Sequence, residues 1–377
     1  MYSAHTTPNR GAFVAEQPNI FVETALSYAL TYITSVQARA HISPASITIL
    51  ADNDYYSQQS TTASASRFAK FSTPIWATNK TGLGSSAALV TALIGAVLVY
   101  YLSDEEFSLT TETGKRRLHN LAQAAHCAAQ GKVGSGFDIA SAVYGSCIYR
   151  RFSPSILEKL AETGSQGFSQ KLKALVEETD GEHWDTAIIK SKVTIPKGLR
   201  LVMCDVDCGS KTPGMVKQVL QWRKQDPENA KRIWDALQAV NDNLAAELVR
   251  LAKETQNDDY AALKGIIQEN RKLVQEMSER SGVPVEPEAQ TKLLDACSDV
   301  EGVIGGVTPG AGGFDADVLL VKDDEETMDR LKDMLKSYRF VVGDEATAGS
   351  GRVGLLGVRE EMEGVREEAV SEYKDWI

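Results

Sequence analysis

From Ala87 to Leu102 the chain runs for 16 residues without a charge, and only Thr91 and Gly95 fall outside the apolar set. Such a run has to be withdrawn from water along most of its length. A bilayer-spanning helix needs about 20 apolar residues, and this run ends sooner, at Ser103-Asp104-Glu105-Glu106. The length therefore predicts a helix buried in a protein core. Directly before it stands Lys80-Thr81-Gly82-Leu83-Gly84-Ser85-Ser86. Whatever this glycine loop does is done at the N-terminus of a buried helix.

Gly82-Leu-Gly-Ser-Ser-Ala87 matches G-x-G-x-x-A, but a dinucleotide site also needs a strand before the loop and an acidic residue closing the next strand. Ile75 to Lys80 reads poorly as a strand, and the next acidic cluster follows a long helix. Two other readings stay open on the loop alone. The free N–H groups and positive end of the helix form a phosphate site, with a serine hydroxyl able to ligate Mg²⁺. Alternatively, Ser85 or Ser86 only caps the helix.

The remaining chain supplies more glycine loops. Pro18 to Val36 is helical by spacing, and Ser46 to Leu50 is a short β-type run leading into a polar loop, Ala51 to Ala77. A helix over Arg116 to Gln130 carries His119, Gln123, His126 and Gln130 at spacings of four, three and four, so they share a face. Gln130-Gly-Lys-Val-Gly-Ser-Gly-Phe-Asp138 follows, with Lys132 and Asp138 at its two ends. Ser141 to Arg151, Ile188 to Ile195 and Leu199 to Val206 read as strands. Ser210-Lys211-Thr212-Pro213 opens a helix, with Thr212 placed as its cap and Ser210 and Lys211 as a second anion site. Long charged helices are predicted at about 228–254, 258–280 and 286–300. A third loop, Pro309-Gly310-Ala311-Gly312-Gly313, precedes the apolar run Ala316 to Val321; Glu325 to Tyr338 is a final helix. Glycines in that number imply a tight turn or close backbone approach to a ligand.

With 377 residues, two domains are expected, divided near Pro196 into 1–195 and 196–377. The net charge of -11 argues against a nucleic-acid surface. It also means that any polyanionic substrate must be met by locally concentrated cations, and Lys80, Lys132 and Lys211 all lie within the loops. Five cysteines without a C-x-x-C pair, and no apolar leader in Met1 to Arg10, point to reduced thiols in the cytoplasm. Neither a membrane nor an obligate protein partner is expected.

Lys80 to Ala88, His119 to Tyr149, Gly209 to Val216 and Val307 to Ala316 together resemble the GHMP kinases, and most closely the fungal-type phosphomevalonate kinase family. The resemblance runs from about Asn19 to Arg359. It implies an α+β fold: an N-terminal domain like ribosomal protein S5, lacking its first strands here, and a C-terminal ferredoxin-like α/β domain. It implies transfer of a phosphoryl group from ATP to (R)-5-phosphomevalonate. Lys80, Gly82, Leu83, Gly84, Ser85 and Ser86 would then hold the ATP phosphates, with Ser86 a ligand of Mg²⁺. Asp138 matches the family's catalytic aspartate, with Lys132 beside it. Ser210, Lys211, Thr212 and the loop Pro309, Gly310, Ala311, Gly312 and Gly313 would face the acceptor. Nothing between Met1 and Asn19 matches the opening P-G-K-type strand of such kinases. His126 stands where mevalonate kinases have a metal-binding glutamate, and is read as a neutral polar contact. Mevalonate kinase, or a non-catalytic paralogue, are the competing readings.

Overall fold

The computed structural model describes residues 19–37, 42–56, 68, 80–160, 162–190, 194–206, 212–254, 259–310, 312–314, 316–342, 349–351 and 353–376. The chain forms two compact units. One comprises 1–52, 84–190 and 361–377, the other 53–83 and 191–360. The changeover at Lys190–Ser191 lies beside Pro196; those at 52/53, 83/84 and 360/361 have no counterpart in a single division at residue 195. Among the described residues no helix is long and apolar enough to cross a membrane.

In the first unit α1 (Ile20–Val36) is capped by Asn19, whose Oδ1 accepts from the amides of Phe21 and Val22. It buries Ala25, Tyr28, Ala29, Tyr32 and Ile33, the stripe that helical spacing predicts. The uncharged run becomes α2 (Ser85–Tyr101), buried except along a narrow stripe that includes Ala92, Ala96 and Tyr100. Against it packs α3 (Glu112–Gln130), which starts four residues earlier than the sequence suggests because Thr111 caps it through the Gly114 amide, at 3.0 Å. α4 (Phe137–Tyr144), β1 (Ile148–Arg150), α5 (Ser155–Glu158), α6 (Phe168–Glu177) and β2 (Ala187–Ile189) follow. β1 and β2 pair antiparallel.

Two expectations are corrected here. Ser141 to Tyr144 is helix, not strand: Ile139, Ala140 and Val143 face the core at helical spacing, and only after Gly145 (φ 74°) does the chain become extended. Ser46 to Leu50 pairs with no strand among the described residues and is not a strand. After the second unit the chain returns to complete the first. Ser146 donates to the Glu361 carbonyl and Val365 to that of Ala142, both at 2.8 Å. At Gly364 a Cβ would lie 2.2 Å from the Val143 oxygen, so the returning segment can approach α4 only as glycine.

The second unit is built on an antiparallel sheet of β3 (Leu199–Val206), β4 (Val303–Val307), β5 (Ala316–Lys322) and β8 (Val353–Leu355), in the order β4-β5-β3-β8. Four helices lie between β3 and β4: α7 (Thr212–Gln225), α8 (Pro227–Lys253), α9 (Ala261–Ser281) and α10 (Glu288–Ser298). α11 (Glu325–Ser337), β6 (Phe340–Val342) and β7 (Gly349–Gly351) lie between β5 and β8. This strand–helix–strand–strand–helix–strand course in that order is the ferredoxin-like arrangement the resemblance implies. Alternation along the strands supplies both cores. Val202, Cys204, Leu319 and Val321 pack with Leu293, Leu294 and Cys297 of α10 and Leu331 and Leu335 of α11. Leu199, Ile304 and Leu320 pack with Leu251 of α8 and with Leu263 and Ile267 of α9.

Arg271 crosses from α9 to the residues that lead into and form α10. It bonds Glu286 at 2.8 Å and Asp295 at 2.7 Å, and Gln275 and Thr291 also donate to Glu286. Removing one member of such a buried set leaves an uncompensated charge. Arg271→Ala is expected to cost about 3–5 kcal/mol, read as a lower urea midpoint. Arg271→Met with Glu286→Leu should recover most of the loss. Equal destabilisation by the double variant would contradict this account.

Candidate functional site

The first unit gathers the glycine-loop serines, the polar face of α3 and Asp138. Gly84 is the N-cap of α2 in a left-handed conformation (φ 75°, ψ 36°), with no side chain capping the helix. That excludes the reading in which Ser85 or Ser86 serves only as the cap. Ser85 and Ser86 are instead the first two helical residues, at the positive end of a 17-residue helix. The Ser86 hydroxyl lies 3.0 Å from Nε2 of His126.

His126 is 2% exposed and connects three elements. Its Nε2 also lies 3.2 Å from the amide nitrogen of Gln130, a group that only donates. Nε2 is therefore the lone-pair side of a neutral ring, and the Ser86 hydroxyl donates to it, leaving the serine oxygen's lone pairs free. The opposite nitrogen, Nδ1, sits 3.9 Å from Oδ2 of Asp138. Burial pushes the His126 pKa below the ordinary value. The Asp138 carboxylate pulls it back up, and the Lys132 ammonium pushes it down.

Asp138 lies in the first turn of α4, whose N-cap, Gly136, is also left-handed (φ 83°) and also without a side-chain cap. Asp138 is not the cap itself; its Oδ1 accepts from the next amide, Ile139, at 3.0 Å, while Oδ2 remains turned toward His126. The loop before it is fixed by groups that sequence reasoning overlooked. Tyr149 donates to the Ser135 carbonyl at 2.9 Å, and Arg151 to that of Val133 at 3.2 Å. A Cβ on Gly136 would lie 2.5 Å from Gln123 Oε1 and 2.6 Å from the Tyr149 hydroxyl, so the turn admits only glycine. Lys132 is exposed just past the end of α3, its amide bonded to the Cys127 carbonyl. His119, seven residues from His126 on the same face, is a core histidine: its Nδ1 meets Asn120 Oδ1 at 3.2 Å, and burial lowers its pKa to about 4.

The other proposed residues belong to the second unit. Lys80 pairs with Tyr56 in an isolated antiparallel bridge, and Thr81 is anchored to the carbonyls of Asp54 and Tyr55. Gly82 is left-handed (φ 76°), and Leu83 ends this segment. Gly310, Gly312 and Gly313 all have positive φ (68°, 76° and 100°). The Gly313 amide donates to the Val285 carbonyl at 3.0 Å, and a Cβ on Gly312 would lie 2.0 Å from that same oxygen. Thr308, at the root of this loop, donates to Asp317 at 2.8 Å. Asp317, fully buried inside β5, was passed over as part of an apolar run; a carboxylate interrupting such a run was the available signal. Ser210, Lys211 and Ala311 lie outside the described residues, as does the side chain of Thr212.

Mg²⁺ prefers hard oxygen donors, keeps several waters, and uses one or two protein ligands together with substrate phosphates. The Ser86 oxygen, with its lone pairs free, and the Asp138 carboxylate, about a quarter exposed, fit such a partial site. Among the described residues there is no all-protein cluster of three or more acidic, cysteine or histidine ligands.

Residues 71–146 match the model of the GHMP kinases N-terminal domain. The chain is 54% identical to a phosphomevalonate kinase of Gibberella zeae, over 96% of this chain and 79% of that protein. It is 46% identical to one of Aspergillus fumigatus, over 100% of this chain and 80% of that protein. A crystal structure of a protein from Listeria innocua superposes with a TM-score of 0.60 at 21% identity, covering 91% of this chain and 82% of the other; it supports the fold.

The geometry around His126 fixes the sign of three titrations. By histidine NMR, His126 should titrate below 6.5. Asp138→Asn removes the anion that favours imidazolium and should lower the value further; Lys132→Ala removes an opposing cation and should raise it. A wild-type value above 6.5 would overturn the neutral assignment.

Proposed function

The chain belongs to the phosphomevalonate kinases of the GHMP kinase family, and we propose that its residues divide the work of phosphoryl transfer as follows. The reaction carries a phosphoryl group from ATP to 5-phosphomevalonate, giving 5-diphosphomevalonate and ADP. Gly82 to Ser86, with Lys80 beside them, hold the ATP phosphates on the backbone amides and positive end of α2. The observation that carries this reading is the meeting of Ser86 and Asp138 around one buried neutral histidine, at the starts of two helices that both lack side-chain caps.

The acceptor is a phosphate monoester whose second pKa is about 6, so near pH 7 its attacking oxygen is already largely ionised. A strong general base is then less necessary than for an alcohol. Asp138 acts here by orienting the reacting groups. Lys132 offsets charge as two polyanions approach, a service the overall charge of -11 makes necessary. Ser86 and Asp138 would hold Mg²⁺, which supplies charge neutralisation on the phosphates when bound. His126 keeps the Ser86 hydroxyl turned so that its lone pairs stay available. Pro309 to Gly313, with Ser210, Lys211 and Thr212, faces the acceptor. The unpaired thiols of Cys127, Cys147, Cys204 and Cys297 support a cytoplasmic setting, and the substrates are small molecules. Residues 1–195 and 196–377 remain the proposed domain division.

Coupled ADP release with phosphomevalonate tests the assignment. At saturating Mg²⁺, Asp138→Asn should retain turnover reduced about 10- to 100-fold, the scale of a lost positioning group; Lys132→Ala should lose at least as much. Abolition by the aspartate change alone would mean that Asp138 takes a proton. ATP binding without any ADP release would sink the catalytic assignments altogether.

A further inference from the structure

We propose that Asp317 is a positioning residue for the Pro309–Gly313 loop: its carboxyl anchors Thr308 at the root of the loop and must be uncharged for a phosphorylated acceptor to bind there. The inference rests on the reading that this loop faces the acceptor.

The geometry supports it in three ways. First, Asp317 replaces an apolar residue on the core face of β5, the face shared with Leu319 and Val321, and is 0% exposed. A carboxyl buried there is costly unless it is neutral or well bonded. Among the described residues it has one bond, from Thr308 Oγ1 to Oδ1 at 2.8 Å, and Oδ2 has no partner. Second, Thr308 is the residue between β4 and the loop, and the loop itself is pinned to the Val285 carbonyl. What holds Thr308 therefore holds one end of the loop and Val285 the other. Third, the groups that act on Asp317 come from every side of its pocket. Cys204 faces it across the β3–β5 pair, with Asp205 next along β3. Glu286 and Arg271 act from the α9–α10 side, and Tyr338 from beyond α11.

Burial raises the Asp317 pKa to about 7, opposed by the Thr308 bond; Glu286 raises it and Arg271 lowers it. Near neutral pH the carboxyl thus exchanges between an acid and an anion. Ionised, it sets a buried negative charge under the backbone that must receive a dianion. Binding of phosphomevalonate and uptake of one proton at Asp317 should therefore favour each other.

The sign for stability is the same. A carboxyl whose folded pKa is raised contributes fully below the unfolded value near 4, and the contribution is lost as pH rises through about 7. Wild type should therefore lose thermal stability between pH 5 and pH 8 in a way that Asp317→Asn does not.

The decisive measurement is KM for phosphomevalonate against pH, with KM for ATP beside it. In wild type the first should rise roughly three- to tenfold between pH 6.5 and pH 8.5, as expected for charges several ångströms apart in a protein, and the second should not follow it. Ionisation of the substrate itself is common to all variants and cancels in the comparison. Asp317→Asn should abolish the rise. Thr308→Val removes the bond that lowers the pKa, so its rise should move to higher pH; it decides the matter alone if Asp317→Asn does not fold. Persistence of the wild-type profile in Asp317→Asn, or an unmoved inflection in Thr308→Val, would overturn the proposal. Gly312→Ala separates the two levels of inference. If it leaves KM for phosphomevalonate unchanged, the loop does not face the acceptor. If it raises that KM while Asp317→Asn keeps the wild-type profile, only the role of Asp317 falls.

Discussion

The first unit depends on the burial of α2. A helix with a single narrow stripe to show to water must be enclosed, and α1, α3 and α4 do so. Enclosure has a second effect on α3. Its stripe of His119, Gln123 and His126 is shut inside as well, where each polar atom needs a partner or carries a cost. Ser86 at the start of α2 meets that need for His126. The chemistry at this helix end therefore arises from the same packing that makes the helix possible.

The two units treat buried charge differently. In the second unit, Arg271 and Glu286 pair with each other and are surrounded by further donors and acceptors in a tight network. Asp317 has one hydrogen bond and, among the described residues, no partner for its second oxygen, so burial outweighs the Thr308 bond that opposes it. In the first unit, Asp138 is partly exposed, with Oδ1 on the Ile139 amide and Oδ2 turned toward His126. The contrast separates a carboxylate suited to meeting cations and phosphates from one suited to holding a proton.

Much of this was legible in the sequence. The helices with strong apolar periodicity, α1, α3, α8, α9 and α11, emerge within a few residues of their expected bounds, because the same stripes form the cores. Where the sequence misled, tertiary context decided. Ser141 to Tyr144 carries residues equally at home in a strand, and only the Gly145 turn separates helix from β1. β4 was missed because Gly305 and Gly306 sit within it. At Gly306 a Cβ would lie 2.3 Å from the Leu319 side chain, so tight sheet packing had replaced the usual β-branched signal. At the site, the glycine loops and Asp138 were recognisable as motifs. The contacts of His126 with Ser86 and Asp138, and the Thr308–Asp317 bond, join residues 12 to 40 or nine positions apart, and no local pattern encodes them.

The return of Glu361 to Val365 onto α4 bears on how the protein is made. Synthesis delivers the chain from its N-terminus, and units generally fold as they emerge. Here the second unit lies wholly between the parts of the first, which receives its last piece only after residue 360 has been added. The amides of Ser146 and Val365 find their partners at that moment and no earlier. On the ribosome, α4 is therefore made some 200 residues before the segment that covers it, and its flank stays open in the interval.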